Sequence, residues 1–263
     1  MTVVSEDGIL IALRGIEKTY QTADGPVPSL TSVSFDVREG EFLSIVGPSG
    51  CGKSTLLKIL AGLLPATRGE ARLNGRVVEG PQDGVGMVFQ SPVLLAWRDV
   101  LANVMLQVEI RHLDWDRYRQ RALELLQTVG LAGFERKRAW ELSGGMQQRV
   151  AICRALVHDP SLLLMDEPFG ALDAMTRELM NLELQRIWMA TQKTVLFVTH
   201  SIPEAVFLSD RVLVMTERPG RVEKIYDIPL ARPRSLQNMG TPEFADLAQA
   251  IRGHFYAQGV VDH

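Results

Sequence analysis

The residues with the plainest chemistry are Gly47-Pro48-Ser49-Gly50-Cys51-Gly52-Lys53-Ser54-Thr55. Their spacing matches the P-loop pattern. Glycines let successive backbone N–H groups curl inward on phosphate oxygens, and a helix starting at the lysine turns its positive end to the same group. Lys53 is suited to the β and γ phosphates of a nucleoside triphosphate. The hydroxyl of Ser54 is suited to Mg²⁺, which takes few protein ligands. A second candidate is Asp166-Glu167, which closes the apolar run Leu162-Leu163-Leu164-Met165. Such a run predicts a parallel strand buried on both faces, and its carboxyl end is where open α/β sheets bind ligands. Asp166 fits an outer anchor for Mg²⁺, and Glu167 fits the group that polarises an attacking water. Together they suggest hydrolysis of ATP. Cys51 has two readings: a neighbouring lysine and a helix start favour thiolate, whereas a thiol has no evident part in phosphoryl transfer and can simply fill space.

Several elements must position these groups. Residues from Leu10 to about Val37 alternate and break at Asp24-Gly25-Pro26, as in an antiparallel hairpin. Glu41 to Val46 reads as a strand and Ser54 to Leu63 as a helix, so the glycine loop has the strand and helix it needs. Val85 to Phe89 is another short strand, followed by an unusually apolar loop from Ser91 to Trp97. From about Leu101 to Leu156 the spacing is helical throughout, with Ala122, Leu125, Leu126 and Val129 on one face. The α/β alternation resumes with Leu162 to Met165, a helix from Thr176 to Met189, and strands Thr194 to Thr199 and Val212 to Met215. Pro229-Leu230-Ala231-Arg232-Pro233-Arg234 reads as an exposed tail before a short amphipathic helix near Pro242 to Tyr256.

Composition narrows the function. The 263 residues carry a net charge of −3, with 46% hydrophobic and 22% charged residues, as in an ordinary globular protein without a basic excess for nucleic acid. The two cysteines, Cys51 and Cys153, form no zinc or disulfide pattern and fit a reducing compartment. Met1 to Ile11 includes Glu6 and Asp7 and lacks the basic start of a secretory signal. No apolar run reaches the length that crossing a bilayer requires. Work at a membrane would therefore need another chain to span it.

Leu142-Ser143-Gly144-Gly145-Met146-Gln147-Gln148-Arg149 resembles the signature sequence of ABC ATPases. By itself it is a helix start in which Ser143 caps and two glycines leave amides open to an anion. The resemblance covers Leu10 to about Tyr226. It implies an α/β P-loop NTPase (RecA-like) core, an antiparallel β subdomain and an inserted α-helical signature subdomain. The expected division is a cassette over 1–235 (core 1–90 and 157–228, helical subdomain about 91–156) with a short C-terminal helical tail over 236–263. It also implies a homodimer that sandwiches each ATP, with Mg²⁺, between the P-loop of one copy and Ser143, Gly144, Gly145 and Gln147 of the other. By the same resemblance Tyr20 stacks on adenine, Gln90 touches magnesium and the attacking water, and His200 contacts the γ phosphate. Tyr20 also has the plain reading of a strand aromatic packed on the core. Asp173 matches the loop that crosses the dimer interface. Gly170 departs from the family, which more often has Ser there.

A single cassette resembles a bacterial importer subunit, peripheral on the cytoplasmic face of the inner membrane. Its implied partners are integral-membrane permease subunits and, indirectly, a periplasmic or lipoprotein solute-binding protein. The length leaves no room for the regulatory domain of maltose-type importers. Leu94 to Val104, Thr216 to Val222 and Ile228 to Arg234 are similar to the branch serving nitrate, taurine, aliphatic sulfonates, bicarbonate and pyrimidine precursors. The alternative is a non-transport ABC ATPase regulating a membrane cell-division complex. The apolar loop has two readings of its own: Val93, Leu94, Leu95 and Trp97 pack under the helical lobe, or some of them line a groove for a short permease helix.

Overall fold

A computed structural model of the chain describes residues 8–257. Residues 1–7, the start of the stretch read above for a secretory signal, and 258–263, the end of the C-terminal tail, lie outside the described residues. Contacts divide the chain into two units, Met1–Asp83 with Gln192–His263, and Gly84–Thr191.

The first unit opens with the predicted hairpin, β1 (Ile9–Thr22) and β2 (Gly25–Arg38). The strands are antiparallel, with Tyr20 opposite Val27. Leu13, Ile16, Val33 and Val37 turn inward and are fully buried. β3 (Phe42–Val46) is buried at every position, and α1 (Lys53–Leu60) follows the glycine loop. β4 (Arg68–Leu73) and β5 (Arg76–Val77) complete an antiparallel sheet in the order β2-β1-β4-β5. β4 has no counterpart among the expected elements. Its outward Arg68 and Arg72 mask an alternation that only Ala71 and Leu73 carry inward.

The second unit contains β6 (Val85–Val88), α2 (Val100–Val104), α3 (Leu106–Ile110), α4 (Trp115–Thr128), α5 (Gly144–Leu156), β7 (Leu162–Asp166) and α6 (Ala174–Thr191). β6 and β7 are parallel neighbours, with Val88 opposite Met165. The predicted face of α4 is correct: Ala122 and Leu126 are fully buried, and Leu125 and Val129 nearly so. Helix is not continuous from 101 to 156, however. α4 ends where Gly130 takes a φ of 68°, and the chain then runs through turns and one 3-10 turn, Ala139–Glu141, to α5. Caps set the starts. Asp99 accepts from Ala102 N at 2.8 Å and Asp114 from Arg117 N at 2.8 Å, each cap being worth about 1 kcal/mol.

The chain then returns to the first unit through β8 (Thr194–Val198), α7 (Ile202–Leu208), β9 (Arg211–Met215), β10 (Val222–Asp227) and α8 (Pro242–Ala257). β8 and β9 flank β3 in parallel, so Ile45 faces Val198 on one side and Leu213 on the other. β10 pairs antiparallel with β9. α8 buries Phe244 and Ile251. No helix among the described residues is long and apolar enough to cross a membrane.

The expected exposed tail before α8 needs correction. Pro229, Ala231 and Pro233 are exposed, but Ile228 is buried and Arg234 is 2% exposed. The Arg234 Nη1 donates to Val206 O at 2.8 Å, Phe207 O at 3.0 Å and Ser209 O at 2.8 Å, at the carboxyl end of α7. A helix leaves its last carbonyls without partners, and a cation there offsets the dipole as well. Removing the donor strands those buried carbonyls. Arg234→Met should therefore lower stability by about 2–4 kcal/mol, or roughly 5–10 °C in Tm, in a thermal melt. An unchanged Tm would contradict this role.

Candidate nucleotide-binding and catalytic residues

In the first unit, β3 delivers Gly47 into a loop that turns back to α1 at Lys53. The Lys53 side chain is 5% exposed and curls over its own loop, donating to Gly47 O at 2.7 Å and Pro48 O at 2.9 Å. The loop shape is enforced from outside. Gly52 has a left-handed φ of 107°, and a Cβ there would lie 2.6 Å from Leu30 Cδ2 and 3.0 Å from Ser29 O. Only glycine meets both conditions without strain. Pro48, Ser49 and Gly50 form the open rim, while Cys51 is fully buried. Tyr20 is half-buried, and its hydroxyl lies 3.1 Å from Thr55 Oγ1, which ties β1 to the start of α1. Thr199 N donates to Ile45 O at 3.2 Å, so the exposed His200 leaves the sheet at the edge from which Gly47 also leaves. Ser54 is half-buried in the first turn of α1.

Burial decides the state of Cys51. It pushes the thiol up from its ordinary value, against the opposing pull of the Lys53 charge. Of the two sequence readings, the space-filling one fits this thiol. Cys153 in α5 is also fully buried and pushed up by burial.

In the second unit, the parallel strands β6 and β7 bring Gln90 and the Asp166-Glu167 pair out at the same edge. Asp166 and Glu167 are half-buried and Gln90 is exposed. Glu167 has a φ of 46°, rare for a residue with a side chain and a form of strain found at functional sites. Gly170 lies beside both Gln90 and Glu167. A Cβ there would lie 3.4 Å from Gln90 Nε2 and 3.7 Å from Glu167 Oε2.

Ser143 caps α5, accepting from Met146 N at 3.3 Å, and leaves Gly144 exposed. Gly145 is buried, and a Cβ there would lie 3.0 Å from Thr176 Cγ2. The Gln147 Nε2 turns inward to Ala139 O at 2.8 Å and Leu142 O at 3.3 Å, bracing the preceding 3-10 turn. Asp173 caps the start of α6 by accepting from Thr176 N at 3.0 Å, and that bonding holds its carboxyl below the usual carboxylate range. Of the residues nominated from sequence, the structure thus gathers Tyr20, the P-loop and His200 in one unit. It gathers Gln90, Asp166, Glu167, the signature and Asp173 in the other.

Sequence reading missed the residues that shape these groups. Gly220 presses on the P-loop so closely that a Cβ would lie 2.0 Å from Cys51 O, and its backbone is bonded to Ser29 O at 2.9 Å and Thr31 N at 3.0 Å. Arg154, on the otherwise apolar side of α5, is the one whose charge amid Val150, Ala151, Ile152, Cys153, Ala155 and Leu156 could have drawn notice.

Residues 30–170 match the family model described as ABC transporter. The taurine import ATP-binding protein of Jannaschia sp. is 43% identical over 250 residues, covering 92% of each chain. An uncharacterized ABC transporter ATP-binding protein of Methanocaldococcus jannaschii is 47% identical over 226 residues, 86% of this chain and 85% of that one. A solved dimeric, post-hydrolysis state of an ATP-binding cassette bound to ADP and Pi is 34% identical, with a TM-score of 0.73 over 84% of this chain and 100% of the other. The chain belongs to the ABC transporter family and is an ATPase of the cassette type.

The buried state of Cys51 has a measurable consequence, because the thiolate is the reactive form. At pH 8, alkylation of Cys51 by iodoacetamide, followed by peptide mass, should be at least about tenfold slower in the folded chain than in urea. The folded-state rate should still be rising above pH 9, near the ordinary thiol value. Equal folded and unfolded rates would show an accessible, activated thiol instead.

Proposed function

We propose that this chain is the ATP-hydrolysing subunit of a taurine importer, working as a homodimer on a separate membrane-spanning permease. The observation that carries this reading is the second helix start suited to an anion, Ser143-Gly144-Gly145, in a chain whose P-loop already supplies one. A second cradle is redundant unless it meets the nucleotide held by another copy. Two copies that exchange such contacts form an isologous twofold pair. The dimeric, ADP- and Pi-bound relative supports that arrangement.

In this reading the amides of Gly47 to Thr55 and the Lys53 ammonium hold the β and γ phosphates, and Tyr20 lies on the adenine. Ser143, Gly144, Gly145 and Gln147 of the second copy close on the γ phosphate, with Asp173 at the crossing between copies. Ser54, Gln90 and Asp166 are the Mg²⁺ positions. All three offer oxygen, and they are too few to enclose the ion, which fits a cation held chiefly by phosphate and water. Bound there, Mg²⁺ neutralises charge on the phosphates. Glu167 draws a proton from water as its oxygen attacks the γ phosphorus, while the bond to the β-phosphate oxygen breaks and ADP leaves. His200 and Gln90 read the state of the γ phosphate. The nucleotide core spans 1–90 and 157–228, and residues 91–156 form the lobe that bears the signature.

Taurine is the solute that the named relative imports, and that favours import over the cell-division reading. The chain reaches the membrane from the cytoplasmic side through the permease, and a solute-binding protein outside delivers the cargo. Val93 is 58% and Trp97 73% exposed, with Leu94 and Leu95 half-buried, so this loop is not simply packed under the lobe. An apolar surface at that place suits a short permease helix.

Glu167→Gln keeps the phosphate cradle and removes the group acting on water. With ATP and Mg²⁺ it should accumulate as a species with the mass of two chains, and its turnover should fall at least about a hundredfold. A strictly monomeric mutant would overturn the dimer. In cells carrying the full transporter the same substitution should abolish taurine uptake. If taurine uptake persists while nitrate or alkanesulfonate uptake fails, the substrate is wrong and the ATPase reading stands.

A further inference from the structure

Arg154 has no part in the chemistry above, yet it is among the most fully engaged side chains of the second unit. It lies on α5 among buried apolar residues and is 8% exposed. Its fork closes on two successive carbonyls, Nη2 on Pro92 O at 2.7 Å and Nη1 on Val93 O at 2.8 Å. Val93 is held at a φ of 46°, an unfavourable conformation for a β-branched residue. Within the signature, nearer the start of the same helix, Gln148 is 2% exposed and donates from Nε2 to Phe89 O at 3.3 Å. From the other side, Asn103 of α2 accepts from Leu95 N at 2.7 Å and donates to Leu95 O at 3.1 Å, Arg98 O at 3.2 Å and Asp99 O at 2.9 Å.

This inverts the usual loop. Buried polar side chains hold its backbone, while its own Val93 and Trp97 face outward. A buried guanidinium and a β-branched residue at positive φ are both unfavourable unless something compensates them. Here each compensates the other: the turn at Val93 presents two carbonyls side by side, and the guanidinium satisfies both. The grip points on α5 are six residues apart, about 9 Å along the helix, which is enough to fix the direction of the gripped segment as well as its position.

We propose that Arg154 is a positioning residue, which with Gln148 makes residues 89–97 a rigid extension of α5. The orientation of Gln90 and the outward surface of Val93 and Trp97 then follow the helix that begins at the signature. The proposal rests on the functional reading above only for the role of Gln90. The clamp itself is testable on the isolated full chain.

Arg154→Lys keeps the charge but cannot fork onto two carbonyls, and Arg154→Met removes both bonds. In each, hydrogen exchange of amides 93–97 should accelerate at least about tenfold, while β3 and the middle of α5 keep their protection. ATPase kcat should fall about tenfold with the KM for ATP within about twofold, because orientation of the attacking water is disturbed and the P-loop is not. General destabilisation would raise exchange throughout the chain and would not split kcat from KM. If Arg154→Met fails to fold, Arg154→Lys decides. Unchanged exchange at 93–97 in Arg154→Lys overturns the clamp. Faster exchange with unchanged kcat overturns the link to Gln90. Loss of the dimer in Glu167→Gln with the clamp effects intact would count against the functional reading alone.

Discussion

Around the phosphate loop the backbone is packed closer than any side chain permits. Gly220 sits where a Cβ would be 2.0 Å from Cys51 O, and Gly52 where one would be 2.6 Å from Leu30 Cδ2. Strand β2 and the segment ahead of β10 thus mould the loop between β3 and α1 from two sides. Inside the mould the loop closes on the Lys53 ammonium through Gly47 O and Pro48 O. An ammonium so placed is pre-positioned, so little side-chain entropy would remain to be lost if phosphate oxygens took over as its partners, as proposed. Burial of Cys51 belongs to the same packing and accounts for its suppressed acidity.

The second unit uses another device for the same end. Its candidate catalytic side chains stand on short turns after parallel strands, and buried polar groups brace the segment that carries Gln90. Gly170, without a side chain, leaves open the space beside Gln90 and Glu167. Gln148 donates to Phe89 O just before Gln90, and Asn103 and Arg154 bond the loop that follows it. Ser143 and Asp173 each cap a helix, so residues suited to nucleotide or interface contacts also terminate secondary structure. Pairing of function with local geometry explains why such motifs occur as compact strings in the sequence.

That compactness governs what could be read beforehand. The P-loop, the Asp166-Glu167 pair and the signature are each contiguous, and β3, β7 and β8 are short, mainly apolar runs, interrupted only by Ser44 in β3 and by Thr194 and Asp166 at strand ends. Each was therefore visible in a few residues. β4 was not, because Ala71 and Leu73 are its only buried apolar residues, too few beside Arg68, Gly69, Glu70 and Arg72 to mark a strand, and the tail before α8 was misread because Arg234 looks like a solvent-facing charge. Arg234 is buried by carbonyls of α7, and carbonyls have no sequence signature. The same reason hid Arg154 and Gly220: their partners lie tens of residues away or more and are backbone atoms. The composition of the apolar loop could not decide between a packed and an outward-facing segment, since the same residues serve either. The outward exposure of Val93 and Trp97 comes from backbone held by Arg154 and Asn103, a tertiary effect.

The central claim is that the moulded loop around Lys53 is where ATP is held. Equilibrium binding of ATP to the isolated chain, measured by titration calorimetry for the native sequence and for Lys53→Ala, tests it most directly. The native chain should bind ATP and turn it over to ADP and phosphate. Lys53→Ala replaces a buried cation with a methyl group, and its affinity should be at least about a hundredfold weaker with the fold retained by circular dichroism. A folded Lys53→Ala chain that binds ATP as tightly as the native one would contradict the account.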